Sequence, residues 1–175
     1  DPTGWDGVDQ SYFFTPEGED FEWFYAQHNV SILDNGDIAL FDNGTAKVKR
    51  VDGDNRVSGD NVYSRAVVYQ IDTENMTVSQ VTEYGKERGA DWYSDWISGV
   101  VSLDGTQDHL WITAGSHLHS DEENRSDYYP KDMFVQGLTK TTHIDQVDNG
   151  ELSFELTISG DTYNALTYRS FRMPL

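Results

Sequence analysis

Apolar and polar residues alternate along most of this chain, in short runs. Val30–Leu33, Asp37–Phe41, Ala66–Ile71 and Thr77–Tyr84 make one group of such runs. Ile97–Leu103, His109–Thr113, Met133–Leu138, Thr141–Gln146 and Leu152–Ile158 make a second, and Ala165–Arg172 follows. β-Branched and aromatic residues fill the runs, and Gly, Asn and Asp separate them. That is the pattern of strands between turns. No segment keeps an i, i+3, i+4, i+7 apolar stripe over three turns, so no amphipathic helix is predicted. The sharpest local signal is Asp34–Asn35–Gly36 between two alternating runs, which predicts a β-hairpin. The fold class read from this pattern is all-β.

The runs also repeat. Val30–Gly36 followed by Asp37–Phe41 echoes Val100–Gly105 followed by His109–Thr113, with Leu33 and Leu103 70 positions apart. Tyr69–Asp72 followed by Thr77–Tyr84 echoes Thr142–Asp145 followed by Glu151–Ile158, 73 positions on. A unit of four strands that recurs in the same order predicts β-propeller blades. The chain then holds about two four-stranded blades plus extra strands. Asn164–Arg172 would open a third blade or close a ring. A β-sandwich of eight or nine strands is the rival. Propellers close with four to eight blades, so two leave open edges that further blades or a partner chain must cover.

Composition narrows the function. The 175 residues suit one domain, and the chain opens on Asp1 rather than Met, which predicts a processed or partial chain. No run of 18 or more apolar residues is present, so no membrane-spanning helix is predicted. There are no cysteines, which excludes disulfides, thiolate metal sites and cysteine nucleophiles. With 31 acidic and 12 basic residues the net charge is −19, which argues against a nucleic-acid partner and against anionic membranes. The same acidity serves solubility. Asp52–Gly53–Asp54–Asn55 only hints at a calcium loop.

Five histidines carry most of the candidate chemistry: His28, His109, His117, His119 and His143. His28 opens a strand beside the aromatics Phe21, Trp23, Phe24 and Tyr25. That suits either a functional imidazole or a packed one. His117 and His119 are two apart, on one face of a strand, which is a metal-ligand spacing. Asp121 and Glu122 follow them, so a metal-dependent propeller hydrolase or lyase using His117 and His119 is one reading. A histidine nitrogen can instead serve as a nucleophile. A non-catalytic propeller module that binds a partner through its loops is a third reading. His109 and His143 sit mid-strand and are read as structural. Trp92, Tyr93 and Trp96 are read as blade core rather than a phenol-stacking box. Arg65 has Glu83 and Glu87 as ready ion-pair partners.

A series of sequence words discriminates among these readings. Gln27–His28, Asn35–Gly36, Leu40–Phe41–Asp42–Asn43–Gly44, Tyr63–Ser64–Arg65–Ala66–Val67 and Tyr84–Gly85–Lys86–Glu87–Arg88–Gly89 stand in that order. In these the chain resembles the C-terminal portion of the bacterial arylsulfate sulfotransferases, from about Phe21 to Met173. That family moves sulfate from one phenol to another without a nucleotide cofactor. The resemblance implies that residues 1–175 are the C-terminal part of a propeller catalytic domain, incomplete without upstream blades. It implies aryl sulfate and phenol substrates, no cofactor, a periplasmic or extracellular location, and allows a homo-oligomer. It places His28 at the sulfate end of the donor, with Asn29 and Asn43 on the pocket rim. It makes His117, in Ala114–Gly115–Ser116–His117, the transiently sulfated residue, with His119 and then His109 behind it. A family arginine follows the Asp-Asn-Gly element. Here Lys47 stands near that place, so Lys47, Arg50 or Arg65 is expected to supply the cation. A further family histidine falls upstream of Asp1.

Overall fold

The computed structural model describes residues 7–44, 63–119, 139–160 and 165–173. Among them the strands are β1 (Thr15–Glu17), β2 (Gln27–Ile32), β3 (Ile38–Asp42), β4 (Arg65–Asp72) and β5 (Thr77–Tyr84). They continue with β6 (Gly99–Ser102), β7 (His109–His119), β8 (Thr139–Asp148) and β9 (Glu151–Ile158). Short 3₁₀ segments cover Gln10–Tyr12 and Lys86–Trp92. The chain is all-β, as the alternation predicts. Met133–Leu138, Lys47, Arg50, Asp52–Asn55 and Asp121–Glu122 lie outside the described residues. Among the described residues no helix is long and apolar enough to cross a membrane.

The strands form two sheets. β2, β3, β4 and β5 make an antiparallel meander, and β6, β7, β8 and β9 make another. β1 adds to the first by parallel pairing with β5, an element the sequence pattern did not predict. The hairpin predicted at Asp34–Gly36 joins β2 to β3, closed by Leu33 N–H to the Asp37 carbonyl at 2.8 Å. The two turns related by the 70-residue echo meet each other. The Asp34 N–H donates to the Gly105 carbonyl at 2.9 Å. Gly105 has φ +83°, and a Cβ there would lie 2.2 Å from the Asp34 carboxylate, so only glycine fits.

The sheets pack face to face. From the first come Leu33, Ala39, Phe41, Ala66, Val68 and Tyr84; from the second, Val100, Leu110, Ile112, Ala114 and Val147, with Trp92 between them. Period-2 geometry explains the choice. In β7 the even residues Leu110, Ile112 and Ala114 enter this core, and the odd residues Trp111 and Thr113 face away, toward Ser170. Of the three aromatics read from the sequence as blade core, Trp92 and Tyr93 are fully buried and Trp96 is half-buried. The far face of the first sheet (Leu40, Val67, Tyr69, Val78) is covered by Phe14, Phe21, Trp23 and Phe24.

Two expectations need correction. Ala165–Arg172 was predicted as a strand, but residues 165–173 join neither sheet. β7 is already paired on both edges, by β6 and β8, so a further strand has no ladder to enter. The segment lies across the outer face of β7 as a strap. It is held by Ala165 N–H to the Lys140 carbonyl at 3.0 Å and by Thr167 N–H to the Gly115 carbonyl at 3.1 Å. The second correction concerns His109. It opens β7 rather than sitting mid-strand, and pairs at the surface with Asp148 at 2.8 Å. That partner holds the Asp148 carboxyl down at about 2.

Candidate functional site

His28 lies in β2, half-buried, and its Nδ1 is 2.6 Å from the Asn43 side-chain oxygen. Asn43 is fully buried, and its amide nitrogen donates to the carbonyls of Ser94 and Ile97 at 2.7 and 3.0 Å. Those acceptors fix the amide orientation, so its oxygen must face His28. An amide oxygen only accepts, and His28 therefore carries a proton on Nδ1, which leaves Nε2 uncommitted to Asn43. A register break between His28 and Ser31 gives the intervening Asn29 a φ of +51°. Its amide then crosses to the other sheet and donates to the Val100 carbonyl at 2.8 Å. Asn29 thus bridges the first strands of the two meanders.

His117 is held by the same segment. It lies near the end of β7, 3 % exposed, with Nδ1 2.9 Å from the Tyr93 carbonyl. A carbonyl only accepts, so His117 too carries its proton on Nδ1. The anchors of the two histidines, Tyr93 and Ser94, are neighbours in the chain. A serine cluster secures that stretch. Ser64 Oγ accepts from the Ser94 N–H at 2.8 Å and lies within bonding distance of the Asn43 and Ser94 carbonyls. Ser94 Oγ accepts from the Ser116 N–H at 2.9 Å, and Ser98 Oγ accepts from the Gly115 N–H at 3.0 Å.

Beneath His117 lies a buried ion pair. Lys140, 1 % exposed, donates to Ser116 Oγ at 2.8 Å and sits 3.5 Å from Asp95, to which Ser116 Oγ donates at 2.7 Å. Burial pulls the Lys140 ammonium below its usual range, against Asp95. Burial likewise pushes the Asp95 carboxyl up, against Lys140. The His143 ring stands edge-on to His117, centroids 5.6 Å apart. Lys140 and Asp95 carry no signal in the sequence, and His143 is read there as structural. The pairing of β7 with β8 brings Lys140 and His143 across, the bridge between Ser94 and His117 brings Asp95, and the alternation pattern carries no mark of either.

Arg65 is fully buried and enclosed by acceptors. Nε donates to Asp42 at 3.0 Å, and the terminal nitrogens reach Glu83, Gln80, Glu22 and the Glu22 and Trp23 carbonyls. Its charge is neutralised within its own sheet. Asp42 also accepts from the N–H groups of Tyr25 and Gly44, so the cluster sets the backbone that presents Asn43. The structure therefore links His28, Asn43 and His117 through the segment 93–97, and sets Arg65 behind them. Lys47 and Arg50 lie outside the described residues, as does the side chain of His119. Among the described residues no three His, Asp or Glu side chains are grouped to hold a metal ion.

Comparison with known proteins agrees with the sequence words. The chain is 34 % identical over 156 residues to the arylsulfate sulfotransferase AssT of Escherichia coli O6:H1, and 29 % identical over 156 residues to that of Lelliottia amnigena. Each match covers 88 % of this chain and 23 % of the relative, so the chain spans about a quarter of the length of these relatives. The sequence profile of the arylsulfotransferase (ASST) family matches residues 1–169, and the chain belongs to that family.

Proposed function

We propose that this chain is part of a β-propeller enzyme that moves a sulfuryl group from an aryl sulfate to a phenol through a sulfated histidine. The observation that carries the reading is the pair His28 and His117. Both are fixed with the proton on Nδ1, by acceptors that converge on Tyr93 and Ser94. Scattered histidines, which a binding module would have, do not share a support of this kind.

In this scheme the Nε2 lone pair of His117 attacks sulfur, and an N–S bond forms as the S–O bond to the donor phenol breaks. The donor leaves as phenoxide and takes up a proton. The acceptor phenol, losing its proton, then attacks the same sulfur, and Nε2 leaves. His28, protonated on both ring nitrogens, donates Nε2–H to the sulfuryl oxygens, whose negative charge grows in the transition state. Asn29 and Asn43 set its position. Lys47 and Arg50 remain the proposed cations from the loop after Asn43, and Arg65 serves by holding Asp42 and its neighbours. Two successive meanders whose first strands and turns meet suit adjacent blades, the rest of the propeller lying elsewhere in the protein. A periplasmic or extracellular location accords with the bacterial relatives.

The test is His117→Ala in the full-length protein. It should abolish transfer from an aryl sulfate and remove the sulfated adduct seen by mass spectrometry, and His119→Ala should do neither. If a chelator stops the reaction and no histidine becomes sulfated, the reading falls in favour of a metal site.

A further inference from the structure

The strap over β7 carries Tyr168 and Arg169, both exposed. The Tyr168 ring stands edge-on to His28, centroids 6.5 Å apart at 86°, yet it is 57 % exposed. The Arg169 guanidinium lies over that ring, 5.4 Å from its centroid. Every other described lysine and arginine has a polar partner: Arg65, Lys86, Arg88 and Lys140 hold carboxylates, and Arg172 holds Gln146. Among the described residues Arg169 has no polar partner, only the Tyr168 ring, in a chain of net charge −19.

The strap's path is determined. Gly115 lacks a Cβ, and one built there would lie 1.7 Å from the Thr167 carbonyl. The backbone therefore passes against the strand that bears His117 two residues later, then carries Tyr168 to His28. Just beyond, a cleft of about 340 Å³ runs between β2 and β6, lined by Asn29, Val30, Val100, Arg169 and Phe171. Arg169 thus borders the cleft on one side and lies over the Tyr168 ring on the other, and that ring stands against the imidazole proposed to hold sulfate.

We propose that Tyr168 and Arg169 recognise the aryl sulfate donor, with the Tyr168 ring as the platform for its aromatic ring and the Arg169 guanidinium facing its sulfate. The assignment rests on the sulfotransferase reading. It makes this pair determinants of specificity rather than of the chemical step. Arginine suits the task because its planar fork matches the oxygens of a tetrahedral anion, and aromatic rings stack well on tyrosine.

The experiment uses the full-length protein, with transfer from 4-nitrophenyl sulfate to phenol and calorimetric binding of unreactive 4-nitrobenzenesulfonate. Arg169→Ala should raise the donor KM and weaken sulfonate binding by about ten- to a hundredfold, with kcat within about threefold. Arg169→Lys should recover part of the loss. Tyr168→Ala should weaken the sulfonate, and Tyr168→Phe should restore it. Arg172→Ala, on the same strap but facing Gln146, should change nothing. Equal loss in Tyr168→Phe and Tyr168→Ala, or a fall in kcat at unchanged KM and binding, overturns the assignment. So does unchanged binding in Arg169→Ala while wild-type protein transfers sulfate; the sulfotransferase reading would then stand without it. If wild-type protein transfers nothing but binds the sulfonate in an Arg169-dependent way, recognition stands and the reaction fails.

Discussion

The proton on His28 is placed by an amide that cannot turn over. If Asn43 flipped, its oxygen would face the Ser94 and Ile97 carbonyls, acceptor against acceptor. Asn43→Ala removes that constraint and strips two buried carbonyls of a donor. It should cost about 2–4 kcal/mol of stability and lower transfer about tenfold or more with a displaced pH profile. Thermal melts and the pH dependence of kcat/KM check both. A lower Tm with an unmoved pH profile would reduce Asn43 to packing. The buried pair beneath His117 invites a second substitution. Lys140→Met leaves the Asp95 charge uncompensated and should cost about 3 kcal/mol or more. Adding Asp95→Asn should recover much of that, a coupling that denaturant titration of the two single variants and the double one would measure. Little of this detail was legible in the sequence. His28 stood out because it opens a strand beside aromatics and in a family word. Lys140 and Asp95 are 45 positions apart, each an ordinary charged residue, and they meet only because β8 pairs with β7 on one side and Ser94 bridges to His117 on the other.

At the scale of elements, the hairpins and both meanders were legible because β-branched and aromatic runs stand between Gly, Asn and Asp turns, even in β3 and β4, which are buried on both faces. The strap was not. Its residues alternate as a strand does, but whether an extended segment joins a ladder depends on which edges are open, a property of the whole sheet. Gly115→Ala tests the strap's seat. The added methyl meets the Thr167 carbonyl, which should displace the strap, cost about 1–3 kcal/mol, and expose the C-terminal residues to proteolysis. An undisturbed cleavage pattern would show that the strap has room to spare. Across the core, Arg88 joins the 3₁₀ segment to β8 through Asp145 at 2.8 Å. Burial pushes the Asp145 carboxyl up to about 6, Arg88 pulling it down and Glu155 adding to the rise. The unfolded chain releases this proton near pH 3.9 and the native state near 6. Between those values the native state holds the extra proton, so this group's contribution to stability falls as pH rises from about 4 to about 6 and is level above. Melting profiles across that window should lose this component in Asp145→Asn; an unchanged slope would assign it to other carboxyls.

For the molecule as a whole, the unfinished surface is the outer face of the second sheet. Leu152, Phe154, Leu156 and Ile158 on β9 are each 41–45 % exposed, and Met173, which lines a pocket with Phe154, is 81 % exposed. Phe154 stacks on Trp111 across the same face. An apolar row of this kind on an outermost strand invites association. The opposite face of this sheet is covered by the first meander, and a third meander packed in the same manner would cover this one. That is the repeating contact of a propeller, and relatives several times the length of this chain have residues enough to supply it. The occupant we expect is therefore the next blade of the same protein. Prepared alone, the 175 residues should self-associate, and Leu156→Lys with Ile158→Lys should return them to a monomer by size exclusion. In the full-length protein the same pair should cost about 2 kcal/mol or more, because two ammonium groups would enter a covered interface. Lysine on a finished outer surface would instead be tolerated in both settings. A monomer that melts cooperatively and ignores the double substitution, with an equally indifferent full-length protein, would mean that β9 is solvent-facing by design and that no further blade packs on it.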